Sequence, residues 1–113
     1  MRKDPQVFLK HILESIGWIE KETKDLSKDK FVQDVPTHDA VIRRLEIIGE
    51  AVKNLPTDFK KKYPDIAWKK IAGLRDKLIH GYFGIDLKLV WEIVRKDIPP
   101  FKEQIAKILK EYS

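Results

Sequence analysis

Residues 68–82 read WKKIAGLRDKLIHGY, and Trp68, Ile71, Leu74 and Leu78 recur in them at three- and four-residue spacing. That period predicts a helix beginning near Ile66 or Trp68, with the four apolar residues as its buried face. Gly81 is the natural residue for a left-handed C-terminal cap, so the helix should stop at or within one residue of His80. Gly73 lies inside it, where glycine costs stability unless another backbone packs close by. Arg75, Asp76, His80 and Tyr82 crowd the far end. At about 100° per residue Arg75 and His80 sit roughly 140° apart on adjoining faces, while Asp76 and His80 are i,i+4 neighbours. A histidine in the last turn feels the negative end of the helix dipole, which favours its protonated form. Such a site suits acid–base chemistry on a phosphate, His80 passing protons and Arg75 holding the anion in its planar fork. By spacing alone, one Arg, one His and one Tyr near a helix end are more often surface and packing residues.

The flanking sequence repeats the helical period. Asp4 followed by Pro5 is an N-cap and first-turn pair, and Phe8, Ile12, Ile16 and Ile19 predict a helix over 5–24 with His11 at its rim. Ser27 to Val35 is a short helical turn or loop closed by Pro36. Thr37 is the expected cap of a second long helix ending near Leu55, with Val41, Leu45, Ile48 and Val52 as one stripe that Ile42 and Ile47 widen. So wide a stripe suggests a second contact, such as a subunit interface. Arg43, Glu46 and Glu50 on this helix suit a surface ion-pair ladder, and Glu50 is also a weak site candidate. Thr57 opens a short helix through Lys62, Asp86 caps a helix with Val90, Trp91 and Val94 inward, and Pro99-Pro100 should break or kink it before Phe101, Ile105, Ile108 and Leu109. Trp18, Trp68 and Trp91 all fall at helical spacing among apolar residues and are expected in the core rather than as a base-stacking platform. No strand pattern or internal repeat interrupts the series, so the expected fold is all-α, an up-and-down bundle of four main helices plus short ones.

Composition narrows the class. A chain of 113 residues is expected to form a single domain, 1–113, able to bury roughly two thirds of its unfolded surface. It has no cysteine, which excludes disulfides and thiolate metal sites and fits a reducing cytoplasm. The start, MRKDPQVFLKHI, has charge without an apolar signal core, and no segment approaches the ~20 apolar residues needed to cross a membrane; a cytoplasmic location is expected. A net charge of +5 and a pI near 9.4 favour a polyanion such as RNA, although 18 acidic residues make the surface mixed. Lys60, Lys61 and Lys62, followed by Lys69 and Lys70, read first as a solvated face and second as a phosphate-contact patch. No metal-ligand cluster or phosphate-binding glycine loop is present in the sequence, so no metal or cofactor is expected.

Arg75, four residues, His80, one residue and Tyr82 resemble the Arg-x-x-x-x-His-x-Tyr motif of the HEPN superfamily. The longer run WKKIAGLRDKLIHGYFGIDLKLVWEIVRKDIP at 68–99, with RRLEIIGEAVKNL at 43–55, is similar to HepT toxins of HepT/MNT toxin–antitoxin pairs, and the likeness covers nearly the whole chain. The resemblance implies the same helical bundle and a metal-independent endoribonuclease with Arg75 and His80 in the active site. It implies a homodimer too, since a single histidine must otherwise serve as both acid and base, and two copies across a two-fold axis supply both. Asp76 would orient His80, unless it pairs with a surface lysine instead. The partner implied is an MNT-type nucleotidyltransferase antitoxin that transfers AMP to the motif tyrosine, here Tyr82; packing of Tyr82 on the next helix is the plainer alternative. A reading from another class is a non-catalytic helical module that binds a nucleotidyltransferase or a nucleotide.

Overall fold

The computed structural model describes residues 4–79 and 86–112, the side chains of Arg75 and Ile79 apart. Helix α1 runs Pro5–Thr23, α2 Lys28–Gln33, α3 Val35–Asn54, α4 Thr57–Lys61, α5 Trp68–Ala72 and α6 Leu74–Ile79. Helix α7, Leu87–Glu92, continues through a π turn, Ile93–Asp97, into α8, Ile98–Tyr112. No strand occurs among the described residues, and the all-α fold follows. Four rods form the bundle: α1, α3, the α5–α6 pair and the α7–α8 run.

Helix α3 is the hub. It packs against α1, α2, α5 and α6, while α1 also packs against α8 and α2 against α7. Val41, Leu45, Ile48 and Val52 of α3 are all 0% exposed, with Ile42 and Ala51 buried beside them. The centre of the stripe is therefore consumed inside the chain by several neighbours, while Ile47, which widens it, stays half-buried. On α1 the buried row is Leu9, Ile12, Ile16 and Ile19, with Phe8 only half-buried, one position away from the expected start of the stripe.

The α1 cap is as read: Asp4 Oδ1 accepts from the Gln6 N–H at 2.9 Å, with Pro5 at the first helical position. Asp86 likewise caps α7 by accepting from the N–H groups of Lys88 and Leu89, both at 3.1 Å. The start of α3 differs from expectation. Asp34, not Thr37, is the cap, and its Oδ1 accepts from the Thr37 N–H at 3.2 Å. Pro36 lies within the first turn, where its missing N–H would have had no partner anyway, so it belongs to α3 instead of closing the preceding turn.

Pro99 and Pro100 do not break the last rod. They cannot donate to the carbonyls four residues back, and the turn just before them is widened, with the Ile98 N–H donating to the Ile93 carbonyl five residues earlier. The wide turn relieves the crowding and the helix continues to Tyr112. Arg95, on this turn, reaches across: its Nη2 donates to the carbonyls of Thr23 at 3.1 Å and Leu26 at 3.2 Å, and its guanidinium lies 4.3 Å from the Trp91 ring centre. It thereby ties the end of α1 and the turn after it to the α7–α8 run.

Trp68 and Trp91 are buried as expected, the first packing edge-on to Phe101 and the second against Phe31 at 5.2 Å. Trp18 is not in the core. It is 41% exposed, because its position on α1 falls well to the side of the Leu9–Ile12–Ile16–Ile19 row.

The cap assignment is testable by thermal or urea unfolding. Asp34→Ala is expected to cost about 1 kcal/mol, as loss of an N-cap acceptor does, while Thr37→Ala, which removes no acceptor, should cost a few tenths. Equal losses would return the cap to Thr37.

Candidate functional site

Six-residue α6 is too short to persist by its own hydrogen bonds, and tertiary packing holds it. Leu74 and Leu78 are 1% and 4% exposed, so α6 is pinned on α3 by the spacing the sequence showed. Gly73 separates α5 from α6 with φ −75° and ψ −8°, an ordinary right-handed conformation. A Cβ there would meet the Lys69 carbonyl at 3.3 Å and the Lys70 carbonyl at 3.6 Å, both from the preceding turn. No other element's backbone comes close among the described residues, so the glycine marks a junction between two helices where one continuous helix was expected.

Arg75 follows Leu74 on α6, with its side chain outside the described residues. His80, the expected cap Gly81 and Tyr82 also lie outside them. Asp76 is exposed and makes no ion pair with a lysine among the described residues.

Glu50 stands on α3, the helix against which α6 packs, and lines a groove of about 340 Å³ between α1 and α3. Phe8 and His11 come from α1, and Arg43, Glu46, Ile47, Ala51 and Asn54 join Glu50 from α3. Arg43 Nη1 lies 3.7 Å from Glu46 Oε2, the i,i+3 pair expected from the sequence, and Asn54 Nδ2 donates to the Glu50 carbonyl at 2.9 Å. The groove thus offers an imidazole, two carboxylates, a guanidinium and an amide over a partly apolar floor. His11 is exposed beside the α1 row, as expected; its place in the groove was invisible locally because residues 8–11 and 43–54 meet only through helix packing. Among the described residues, no group of three or more His, Asp or Glu is arranged to hold a metal ion.

The basic run divides by role. Lys60 Nζ donates to the Val52 carbonyl at 3.3 Å near the end of α3, and Lys70 Nζ pairs with Asp97 at 3.0 Å. Lys61, Lys62 and Lys69 are exposed. Perturbed acidities elsewhere also have structural causes. Partial burial, and then a hydrogen bond from its hydroxyl to Glu111 Oε2 at 3.2 Å, raise the Tyr63 phenol above the usual tyrosine range. The 2.8 Å pair of Lys96 with Glu92 lowers the carboxyl and raises the ammonium. No helix in the described residues is long and apolar enough to cross a membrane.

The family model for HepT-like ribonucleases matches residues 12–108, which include the whole Arg75–Tyr82 stretch. A Methanocaldococcus jannaschii protein, named a gamma-glutamylcyclotransferase and, provisionally, an RNase, is 58% identical over 98% of this chain, which spans only 50% of that protein's length. A protein of Caldanaerobacter subterraneus subsp. tengcongensis, provisionally named an RNase, is 45% identical over 96% of this chain and 97% of its own. A Thermococcus cleftensis protein named a probable ribonuclease HepT is 46% identical over 97% of this chain and its full length. No solved structure matches the chain significantly.

The division within the lysine run can be checked by unfolding. Lys60→Gln should cost about 0.5–1 kcal/mol, for a cation lost from a helix C-terminus, whereas Lys61→Gln should stay within roughly 0.5 kcal/mol of the parent. If the two change stability alike, Lys60 has no special structural role.

Proposed function

This chain belongs to the HepT-like ribonuclease family, and we propose that it is a metal-independent endoribonuclease toxin of a toxin–antitoxin pair, cutting RNA with Arg75 and His80. The observation that carries the reading is the family match over 12–108, with the Arg75-x-x-x-x-His80-x-Tyr82 spacing intact inside it. The pinning of α6 on α3 through Leu74 and Leu78 supports it, since it gives the motif helix a fixed seat.

The chemistry proposed is attack of a ribose 2′-oxygen on the adjacent phosphorus with departure of the 5′-oxygen. One group takes the 2′-hydroxyl proton and another returns a proton to the leaving oxygen, giving a 2′,3′-cyclic phosphate and a 5′-hydroxyl. Arg75 holds the phosphate oxygens and offsets the charge that builds on them. A homodimer placing two copies of His80 in one cleft would provide both acid and base. The dimer rests on this proton balance and on family likeness. Asp76 is proposed to orient His80, and Glu50, on the helix that seats α6, is kept as a candidate at the edge of the site.

Control is proposed to run through an MNT-type nucleotidyltransferase. The Tyr82 oxygen would attack the α-phosphorus of ATP, pyrophosphate leaving and the phenolic proton passing to a base. The attached AMP would set a negative phosphate beside Arg75, where it competes with RNA through charge-assisted hydrogen bonds.

His80→Ala should reduce cleavage by the purified protein on the order of 10²-fold or more and abolish toxicity on induction, with the helical circular dichroism unchanged. Undiminished cleavage by a nuclease-free preparation would remove His80 from the mechanism and favour a non-catalytic binding module. Tyr82→Phe should keep cleavage yet gain no AMP mass when incubated with the partner and ATP, where the parent chain gains it. Equal mass gain in both would place the modification on another residue.

A further inference from the structure

Trp18 is the exposed member of the three tryptophans, and two cations accompany it. Lys21 Nζ lies 5.1 Å and Arg44 Cζ 5.6 Å from its ring centre, one from α1 and one from α3. Neither cation has a carboxylate partner among the described residues, and the Trp18 indole N–H makes no hydrogen bond there. Trp91 shows the contrast: it is buried, and its cation, Arg95, is fastened to two backbone carbonyls. Beside Trp18 is a small cavity of about 100 Å³ lined by Ile19, Glu22, Ala40, Val41 and Arg44.

We propose that Trp18, Lys21 and Arg44 form a subsite for single-stranded RNA, apart from the Arg75–His80 motif in sequence, in which a base stacks on the indole and its phosphates meet the two cations. The inference rests on the ribonuclease reading for its substrate class. Stacking on an exposed aromatic tolerates any base, and free cations next to the ring supply phosphate contacts. The cations sit on flexible side chains, Lys21 exposed and Arg44 half-buried, so a base can displace them from the ring while their charges remain within reach of its phosphate. Glu22 carries the opposite sign. It keeps phosphates on the Lys21–Arg44 side and can accept from a base amino group. The subsite would hold substrate without touching the reacting atoms, so its loss should raise KM and spare kcat.

The buried state of Trp68 and Trp91 makes Trp18 a built-in probe, since acrylamide reaches it preferentially. The parent chain is titrated with a ten-nucleotide 2′-O-methyl oligoriboadenylate, which has no 2′-hydroxyl to attack. The oligonucleotide is expected to quench Trp18 emission and shield it from acrylamide. Trp18→Leu keeps an apolar cover on the groove but removes the stacking face, and should weaken binding, measured by anisotropy of a labelled oligonucleotide, on the order of 5- to 150-fold; Trp18→Tyr should restore much of it. Lys21→Gln with Arg44→Gln should lower the slope of log K against log salt by about 0.7 per lost phosphate contact.

Unchanged affinity and KM in Trp18→Leu, with RNA still cleaved, would overturn the subsite and leave the nuclease reading standing. Quenching that depends on Trp18 in a chain that never cleaves RNA would do the reverse. Shielding of Trp18 that grows with protein concentration before any oligonucleotide is added would assign the patch to contacts between protein copies and overturn the proposal.

Discussion

Burial of the α3 stripe is the constraint on which the other elements depend. Val41, Leu45, Ile48 and Val52 lie at the centre of the bundle, and α1, α2, α5 and α6 each use part of the same helix as their seat. Each fully buried aliphatic side chain of this kind contributes about 1.5–3 kcal/mol, while α2, α5 and α6, at six, five and six residues, have no stability of their own to add. The motif helix is therefore placed by apolar contact. Two leucines, Leu74 and Leu78, set which side of α6 faces the core.

Apolar spacing was legible because burial and helical period are the same information. The α3 stripe, the Leu74–Leu78 pair and the Ile105–Ile108 row all stand where that period put them. Where the reading went wrong, a residue type had two uses and the local sequence did not choose between them. Thr37 and Asp34 are both capping residues, and Pro36 can end one segment or begin the next; the first-turn position of the proline selects Asp34. The paired prolines at 99–100 are helix breakers only in a helix that cannot widen, and the π turn before them removes that condition. Trp18 has apolar residues near it in sequence, which is why helical spacing assigns it to the core; one turn away Glu14, Lys21 and Glu22 are charged, and they mark its side of α1 as the outer face.

Arg75, Asp76, His80 and Tyr82 fall within eight positions, so the chemistry proposed for them can be read from a single segment. The groove holding Glu50 could not be, since Phe8 and His11 join Arg43, Glu46 and Asn54 only once α1 and α3 lie side by side. A helix at the centre of a bundle needs an apolar face wide enough for several partners, and in the sequence alone that width looks the same as a face available to a second subunit.

Net charge has a similar ambiguity, which position resolves. A polyanion responds to cations that are not already neutralised, and Lys70, Lys96, Lys102 and Arg43 face carboxylates, while Arg95 and Lys60 are held at the backbone carbonyls of Thr23, Leu26 and Val52. A formal excess of +5 spread over the surface would attract RNA only weakly and without register. Attraction becomes localised where unpaired cations stand beside a surface that a base can cover. Among the described residues that combination occurs at Trp18, with one cation from each of α1 and α3, so the packing of α1 on α3 fixes the spacing of the two charges around the exposed ring.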